Sequence, residues 1–455
     1  MRLLALAFLF LLFSCKQSNK DLLPGFIRTM SPFEVTVAER SATRAIIKWT
    51  SSENLRNADV VRYKIMLNDQ LIKNDALRYT DTLRQLKPDV TYNGKVIAYT
   101  QSGDTTSAPF TLERIDSYSI YSASYELHCV DLTYGRAAWA DMNYNSEFNF
   151  TAIPVVVNDT VYMDLPGVGV AAYSLKSGEK LWLAKTLKSA GKGVIYRDQT
   201  LYTIGPNAIF ALNSSNGATK WQYPYTNPDY FTFHTNTLLA ENILITGGVY
   251  TLTGFNIDTK KMEWTYKSKS AMCVGPASYK GLVIITTLDG MVEALDIKTG
   301  AIVWKRDFSR EYSNFGANWV SPLIVNDYVY VYSGNTGYYA LNAKTGATVW
   351  NLEEYGAHSA TYGDGLIYYS YSNAAVGNHV TAVNALTGKR VWDRKYIGAE
   401  YPIFADGKVY ACGHVLDAKT GDFIKIIYDV YTFDALPIII NKGVAYYPAE
   451  SGMNN

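Results

Sequence analysis

A short motif recurs along most of the chain and constrains its fold more than any other feature. It reads Leu-Asp-Ile-Lys-Thr-Gly-Ala-Ile-Val-Trp at 295–304 and Leu-Asn-Ala-Lys-Thr-Gly-Ala-Thr-Val-Trp at 341–350. Its tryptophans are Trp139, Trp182, Trp221, Trp264, Trp304, Trp350 and Trp392, and an eighth copy at 416–424 keeps the turn but lacks the tryptophan. A repeat of about 40 residues cannot bury its apolar face alone, so the copies must stack, and this period is typical of a propeller blade.

The repeat that ends at Trp350 predicts the strands of one blade. Residues 322–325, 328–332, 338–342 and 347–350 are the predicted strands, and 326–327 and 344–346 supply tight turns. Gly346 can take a positive φ in its turn at little cost. The recurrent tryptophan is expected to fill the space between adjacent blades rather than to bind a ligand.

The number of blades depends on how the ring closes. The first copy, at 117–139, has too little sequence before it for four strands, and the end of the chain at 435–447 resembles the opening hairpin of a blade. Joining the two ends completes one blade and leaves no sheet edge exposed. We therefore predict eight blades. The shorter spacing between Gly388 and Gly421 leaves seven blades as the alternative.

Composition agrees with an all-β chain and excludes one class of partner. The sequence contains 37 Tyr, which suit half-buried strands, and 33 Gly, which suit tight turns. Lys+Arg number 42 and Asp+Glu 41. This balance argues against a nucleic-acid groove, which needs a surplus of cations.

The first 15 residues are predicted to be a targeting signal. Residues 3–13 are apolar and too few to span a bilayer, and Cys15 follows them. The segment resembles a bacterial lipoprotein signal, which implies that Cys15 is lipidated; an ordinary secretory signal is the alternative. Residues 16–30 are interpreted as a tether.

Residues 31–114 are predicted to form a separate β-sandwich. Ala45, Ile47 and Trp49 alternate with polar residues, as expected for strands with one buried face. The segment 86–92 is similar to the tyrosine corner of fibronectin type III domains, and Trp49 stands where that family has its core tryptophan. We interpret this unit as an arm between the lipid anchor and a propeller at 115–455.

The repeated motif resembles the quinoprotein-type (PQQ-like) propeller repeat. Two kinds of protein carry it: pyrroloquinoline-quinone dehydrogenases, and the non-enzymatic propeller lipoprotein of the outer-membrane barrel-assembly machinery. The dehydrogenases use adjacent cysteines, and no such pair occurs here. His128, His234, His358, His379 and His414 are scattered without metal-ligand spacing, and no nucleophile elbow or P-loop occurs.

We therefore expect no enzyme activity, no cofactor and no metal. The resemblance implies a non-enzymatic envelope lipoprotein, outer-membrane anchored and facing the periplasm or the cell surface, whose propeller is a scaffold for a protein partner. A surface glycan-binding lipoprotein of an uptake system is the alternative, and a quinone-dependent dehydrogenase is a third possibility. Cys129 and Cys412 fall in the first and last repeats, so either a disulfide or two buried thiols is possible.

One face of the ring is predicted to bind. Strands alternate in direction, so the long connections between blades share a face with the turns between second and third strands. These connections are rich in aromatic residues, and long loops on a rigid scaffold are where binding usually occurs. The predicted binding residues are Tyr225, Tyr230, Phe231, Phe233, His234, Tyr312, Phe315, Trp319, Tyr355, His358 and Tyr401.

Overall fold

In the computed structural model, the described residues form β-strands joined by turns and loops. The structure describes residues 30–40, 44–55, 59–76, 78–88, 90–123, 126–133, 135–141, 153–165, 167–185, 193–205, 207–225, 237–272, 274–308, 320–333, 337–353, 357–373, 377–396, 401–411, 413–427, 438–442 and 444–447. Within these residues, no helix has the length and apolarity needed to cross a membrane. The chain divides into two compact units, the first made of residues up to 38, 46–83 and 91–112, and the second of 39–45, 84–90 and 113–455.

Seven strands in the N-terminal part form two sheets, ordered β1-β2-β5 and β4-β3-β6-β7. Their bounds are β1 Val35–Arg40, β2 Arg44–Trp49, β3 Arg62–Leu67, β4 Gln70–Ala76, β5 Thr80–Arg84, β6 Tyr92–Tyr99 and β7 Thr105–Leu112. Ile47 and Trp49 of β2 are buried while Lys48 is exposed, which is the alternation that the sequence predicts. The ring of Trp49 lies 5.5 Å from that of Tyr63, whose hydroxyl accepts a hydrogen bond from the amide of Ser52 at 2.9 Å. Trp49 therefore belongs to the core of this sandwich.

The described residues of the second unit form eight sheets, which we number as blades. Blade 1 contains β8 Ser117–Ala123, β9 Glu126–Asp131, β10 Arg136–Asp141, β39 Ile438–Asn441 and β40 Val444–Tyr446. Blade 2 contains β11 Val155–Val157, β12 Thr160–Leu165, β13 Gly169–Ser174 and β14 Lys180–Ala184. Blade 3 contains β15 Ile195–Arg197, β16 Thr200–Ile204, β17 Ala208–Asn213 and β18 Thr219–Pro224. Blade 4 contains β19 Leu238–Ala240, β20 Ile243–Gly247, β21 Thr251–Asn256 and β22 Lys261–Lys267.

Blades 5 to 8 follow in the same order. They are β23 Ala277–Tyr279, β24 Leu282–Thr286, β25 Met291–Asp296, β26 Ile302–Asp307; β27 Leu323–Val325, β28 Tyr328–Ser333, β29 Gly337–Asn342, β30 Thr348–Leu352; β31 Ala357–Gly363, β32 Leu366–Asn373, β33 Gly377–Asn384, β34 Arg390–Tyr396; and β35 Ile403–Ala405, β36 Lys408–Ala411, β37 His414–Asp417, β38 Phe423–Ile426. Each of blades 2 to 8 has its four strands in chain order. Eight sheets are consistent with the eight-bladed expectation.

The Asp or Asn of the repeated motif stabilises the turn between the third and fourth strands. In blade 5, Asp296 Oδ1 accepts hydrogen bonds from the amides of Lys298 and Thr299 and from the Thr299 hydroxyl, at 2.8–3.0 Å. These donors favour the charged carboxylate and lower the pKa of Asp296. Asn342 and Asn384 make the same contacts in blades 6 and 7. This residue type is therefore explained by turn formation.

Neighbouring blades share apolar clusters all the way round, so the eight sheets form a closed cycle. Adjacent side chains of each second strand point to opposite neighbours, as Val161 and Tyr162 of blade 2 do. Residues of neighbouring blades that share a cluster are Ile120 and Val161, Tyr162 and Leu201, Tyr202 and Leu244, Ile245 and Val283, Ile284 and Val329, Tyr330 and Ile367, Tyr368 and Val409, and Val415 and Val130.

The two ends of the chain meet in blade 1, but with a different division of strands from the expected one. The sequence predicts that the C-terminal hairpin supplies the first two strands of the blade. In the structure the N-terminal side supplies three strands, and β39 pairs with β8 through Ile438–Ile120 and Ile440–Tyr118. β40 is a fifth strand on the far side of β39. Residues 117–123 form β8, which adds one strand to blade 1. The spacing of the motif does not predict this strand.

Strand direction gives the ring two faces. The loop face carries the turns between second and third strands and the connections that lead to the next blade. The hairpin face carries the turns between first and second and between third and fourth strands. Asn326, Asp364 and Asp406 take positive φ in the hairpin-face turns. Asn and Asp tolerate that region better than most residues.

Cys129 is a buried free thiol. Its side chain packs with Val161 and Met163 of blade 2, whereas its neighbour Val130 packs with Ile403 of blade 8. Burial raises the pKa of the Cys129 thiol well above its usual value, with Asp131 adding to the effect. Cys412 lies outside the described residues, so a disulfide with Cys129 stays untested.

Candidate functional site

The tryptophans of the motif lie between blades. The indole Nε1 of Trp304 donates a 3.0 Å hydrogen bond to the carbonyl of Ala343 in blade 6, and Trp350 donates to Ala385 of blade 7 at 2.8 Å. The turn glycine of the next blade, such as Gly346 after Trp304, lies so close to the ring that a Cβ would meet it at 2.5 Å. The motif therefore serves ring assembly, and the binding site must be sought elsewhere.

Most of the predicted binding residues lie outside the described residues. These are Tyr230, Phe231, Phe233, His234, Tyr312, Phe315, Trp319 and Tyr355. The predicted lipidation site, Cys15, also lies outside the described residues. The backbone of His358 belongs to β31, but its side chain is not among those described. The structure places Tyr225 and Tyr401 only.

Tyr225 lies on the loop face at the interface between blades 3 and 4. Its ring is half-buried and packs against the cluster that contains Tyr202 and Phe255. Its hydroxyl is 3.2 Å from Thr253 Oγ1, which itself donates to the carbonyl of Thr246 at 3.0 Å. Most of this side chain is thus used to join two blades.

Tyr401 precedes the first strand of blade 8, also on the loop face. It is half-buried and has a φ of 50°. A bulky residue rarely adopts this region, and such strain of about 1–3 kcal/mol is often found where a side chain has a functional position. Its backbone conformation makes Tyr401 the better-supported of the two described candidates.

A row of rings crosses the loop face between blades 6 and 7. We call it the ring row; its members are Tyr332, Tyr338, Tyr369, Tyr371 and His379. Tyr332 and Tyr338 flank the second turn of blade 6, and Tyr371 and His379 flank the same turn of blade 7. Tyr338 stacks on Tyr369 across the interface with centroids 4.6 Å apart, and Tyr371 stacks on His379 at 4.8 Å. The row runs from buried tyrosines to a histidine that is 14% exposed.

Asp393 of β34 holds the outer end of the ring row. Its carboxylate accepts a 3.1 Å hydrogen bond from the Tyr371 hydroxyl and lies 3.1 Å from His379 Nδ1. Arg390 Nη1 is 4.0 Å from the same group, and the Asp393 side chain is 26% exposed. A polar, partly exposed group is therefore fixed by three neighbours at the end of a rigid aromatic row.

A second loop-face contact joins blades 4 and 5. The Tyr266 hydroxyl donates to Glu293 Oε2 at 2.5 Å, and Glu293 is buried. Burial, together with this hydrogen bond, raises the pKa of Tyr266 far above its usual value. Tyr266 therefore stays neutral and acts as a donor across the interface.

The sequence does not single out the ring row, because its members lie within strands, where rings are expected to pack. Only His379 and Asp393 could have drawn attention to it, because they are polar residues that interrupt the apolar pattern of blade 7. Among the residues that the structure describes, no group of three or more His, Cys, Asp or Glu side chains could hold a metal ion.

The chain is similar to families and proteins of known description. The family described as outer membrane protein assembly factor BamB matches residues 93–234, 232–364 and 289–422, and the fibronectin type III family matches 30–113. Outer membrane protein assembly factor BamB of Moranella endobia is 23% identical over 253 residues, or 50% of this chain and 63% of that protein. Quinohemoprotein alcohol dehydrogenase ADH-IIG of Pseudomonas putida is 31% identical over 140 residues, or 25% of this chain and 19% of the enzyme.

An uncharacterized protein of Rickettsia conorii is 22% identical over 47% of this chain and 56% of its own length. Each of these alignments thus covers less than two thirds of the relative. Among solved structures, BamB from Moraxella catarrhalis matches with a TM-score of 0.49 and 15% identity, covering 66% of this chain and 93% of that one.

Proposed function

The chain belongs to the family described as outer membrane protein assembly factor BamB, and on this premise we propose that it is a non-enzymatic scaffold of the bacterial envelope that binds a protein partner through its loop face. The observation that carries the proposal is the ring row with Asp393. The buried rings of the row fix the partly exposed His379 and Asp393 at its outer end, and side chains that are already held in position lose little entropy on binding.

The outer end of the ring row offers a partner polar groups that are held in fixed positions. His379 and Asp393 are partly exposed at the edge of the buried tyrosines. Lys395, the cross-strand neighbour of His379, is exposed beside them. The four tyrosines behind these groups are 0–6% exposed, so they support the polar groups and do not themselves contact a partner. Tyr401 and the connections between blades would extend this surface.

The similarity to a dehydrogenase needs no shared chemistry to explain it. It covers 25% of this chain. The residues of the repeat have structural roles here: tryptophan between blades, glycine under the ring, and Asp or Asn at the turn. Because a propeller supports many unrelated functions, the fold alone does not imply catalysis.

The proposed location follows from the N-terminal segment and the family. Cys15 is proposed to carry a lipid that anchors the chain to the outer membrane, with residues 16–30 as tether and 31–114 as an arm. Membrane attachment then comes from the lipid, and the propeller remains available to a partner.

A charge reversal on each face tests the proposal. Lys395→Glu alters the loop face beside His379, and Lys344→Glu alters an exposed lysine on the hairpin face of the neighbouring blade. Recovery of envelope proteins on the immobilised full chain is expected to fall about tenfold with Lys395→Glu, equivalent to roughly 1.4 kcal/mol. It should stay unchanged with Lys344→Glu. Equal recovery with both variants, or retention of polysaccharide without any protein, would contradict the proposal.

A further inference from the structure

Three side chains form a rank across blade 7 on the side that faces blade 6. Tyr371 of β32 pairs with His379 of β33, and His379 pairs with Lys395 of β34. Directly paired residues of antiparallel strands project from the same face of a sheet. Lys395 is therefore the outermost member of the rank in which the ring row ends, and its side chain is exposed.

The end of the Lys395 side chain lies over the loop-face turn of blade 7. Gly377 takes a φ of +90° in that turn, and a Cβ added to it would be 3.1 Å from Lys395 Cε and 3.5 Å from Nζ. The glycine thus leaves room for the lysine above the turn. The ammonium is consequently located on the loop face, next to the outer end of the ring row.

β34 carries three cations, and two of them have a carboxylate within reach. Arg394 Nη2 lies 3.4 Å from Asp422 Oδ1 of blade 8, and Arg390 Nη1 lies 4.0 Å from Asp393 Oδ2. Lys395 differs from both arginines. Among the residues that the structure describes, none forms a hydrogen bond or an ion pair with the Lys395 ammonium.

Asp393 does not serve Lys395, because its carboxylate is directed at other groups. Both of its oxygens lie 3.1 Å from His379 Nδ1, and Oδ2 also accepts the hydrogen bond from the Tyr371 hydroxyl. Arg390 supplies a positive charge on the same carboxylate. The charge of Asp393 is therefore compensated within the site, and the charge of Lys395 is not.

We propose that the partner brings an acidic segment to the loop face and that a carboxylate of this segment pairs with Lys395. The inference rests on the proposed function, since it specifies the chemistry of a partner for the same site. A hydrogen bond between two charged groups is stronger than one between neutral groups. Complementary charges at the border of an interface raise the association rate and exclude partners of the wrong charge. The acid would thus select the partner.

Zero-length cross-linking of the full chain in isolated envelopes tests this pairing. A water-soluble carbodiimide activates a carboxylate, and an amine in contact with it then forms an amide while the carbodiimide leaves as a urea. We expect peptide mapping to find Lys395 Nζ joined to an Asp or Glu of another protein. Lys344, which is exposed on the hairpin face, should not be joined to that protein. The yield at Lys395 should fall as salt is raised, because ions screen exposed charges.

Two substitutions of Lys395 separate its charge from its reactivity. Lys395→Arg keeps a positive charge and should retain the partner, but the guanidinium stays protonated and should not form the amide. Lys395→Gln removes the charge, so it should lower recovery of the partner about threefold and abolish the adduct.

The outcomes distinguish this inference from the function on which it rests. A partner that is recovered through the loop face, but equally well with Lys395→Gln and without an amide at Lys395, would overturn the acidic contact and leave the scaffold function standing. Failure to recover any protein through the loop face would overturn both. Binding of anionic phospholipid vesicles that is lost with Lys395→Gln, with no protein joined to Lys395, would also overturn the inference, because the anion would then be a lipid headgroup.

Discussion

Removal of residues 435–455 is expected to abolish cooperative unfolding of the whole propeller rather than to loosen its last strands. The deletion takes away Ile438, Ile439 and Ile440, which are 0%, 2% and 2% exposed. These residues complete the clusters on both sides of blade 1. Loss of a buried isoleucine costs about 2–5 kcal/mol, so losing three approaches the roughly 5–15 kcal/mol that holds a typical domain together.

The measurement is thermal unfolding followed by circular dichroism and by tryptophan fluorescence. Val444→Ala serves as the control, because Val444 lies in the same C-terminal strand pair but is 54% exposed. The control should unfold like the unaltered chain. A truncated protein that also unfolds like the full chain would show that the ring does not depend on joining its two ends.

Gly388→Ala is expected to be the most damaging single methyl addition among the turns of blade 7. Gly388 has a φ of +69°, and an added Cβ would lie 2.8 Å from two ring atoms of Trp350. Gly365 in the same blade has a φ of +80°, but nothing lies within 4 Å of its Cβ position. Both substitutions bring left-handed strain of about 1–2 kcal/mol, and overpacking against the ring adds about 1–3 kcal/mol at Gly388 alone.

The two alanine variants therefore separate backbone strain from contact with the tryptophan. Urea unfolding of each variant gives the free energies, and the difference between Gly388→Ala and Gly365→Ala isolates the contact. If both lose the same stability, the turn glycine is needed only for its conformation. The packing explanation of the motif would then be wrong.

The strands and turns of a blade can be predicted from the sequence because each depends on residues that are close together in the chain. Tight turns need Gly, Asn or Asp, and strands need alternation, so 326–327 and 344–346 are recognisable without any partner. The spacing of the turn motif then gives the number of copies. The second role of the turn glycine is less visible, since its contact is with a ring from the preceding blade.

Features that depend on contacts between blades could not be predicted in the same way. Tyr338 and Tyr369 stack at 4.6 Å although they belong to different repeats, and each alone is an ordinary strand residue. The division of strands in blade 1 was predicted wrongly for a related reason. The sequence predicts that the two ends join in blade 1, but it does not mark the strand at 117–123 that pairs with β39.

The central claim is that a protein partner binds the loop face. Site-specific photo-crosslinking in intact envelopes tests it most directly, with the photoreactive residue placed at Tyr401 or Lys395 on the loop face and at Asp364 or Lys344 on the hairpin face. We predict that the same partner protein is captured from both loop-face positions and from neither hairpin-face position. Capture from the hairpin face alone, or no protein captured from any of the four positions, would contradict the account.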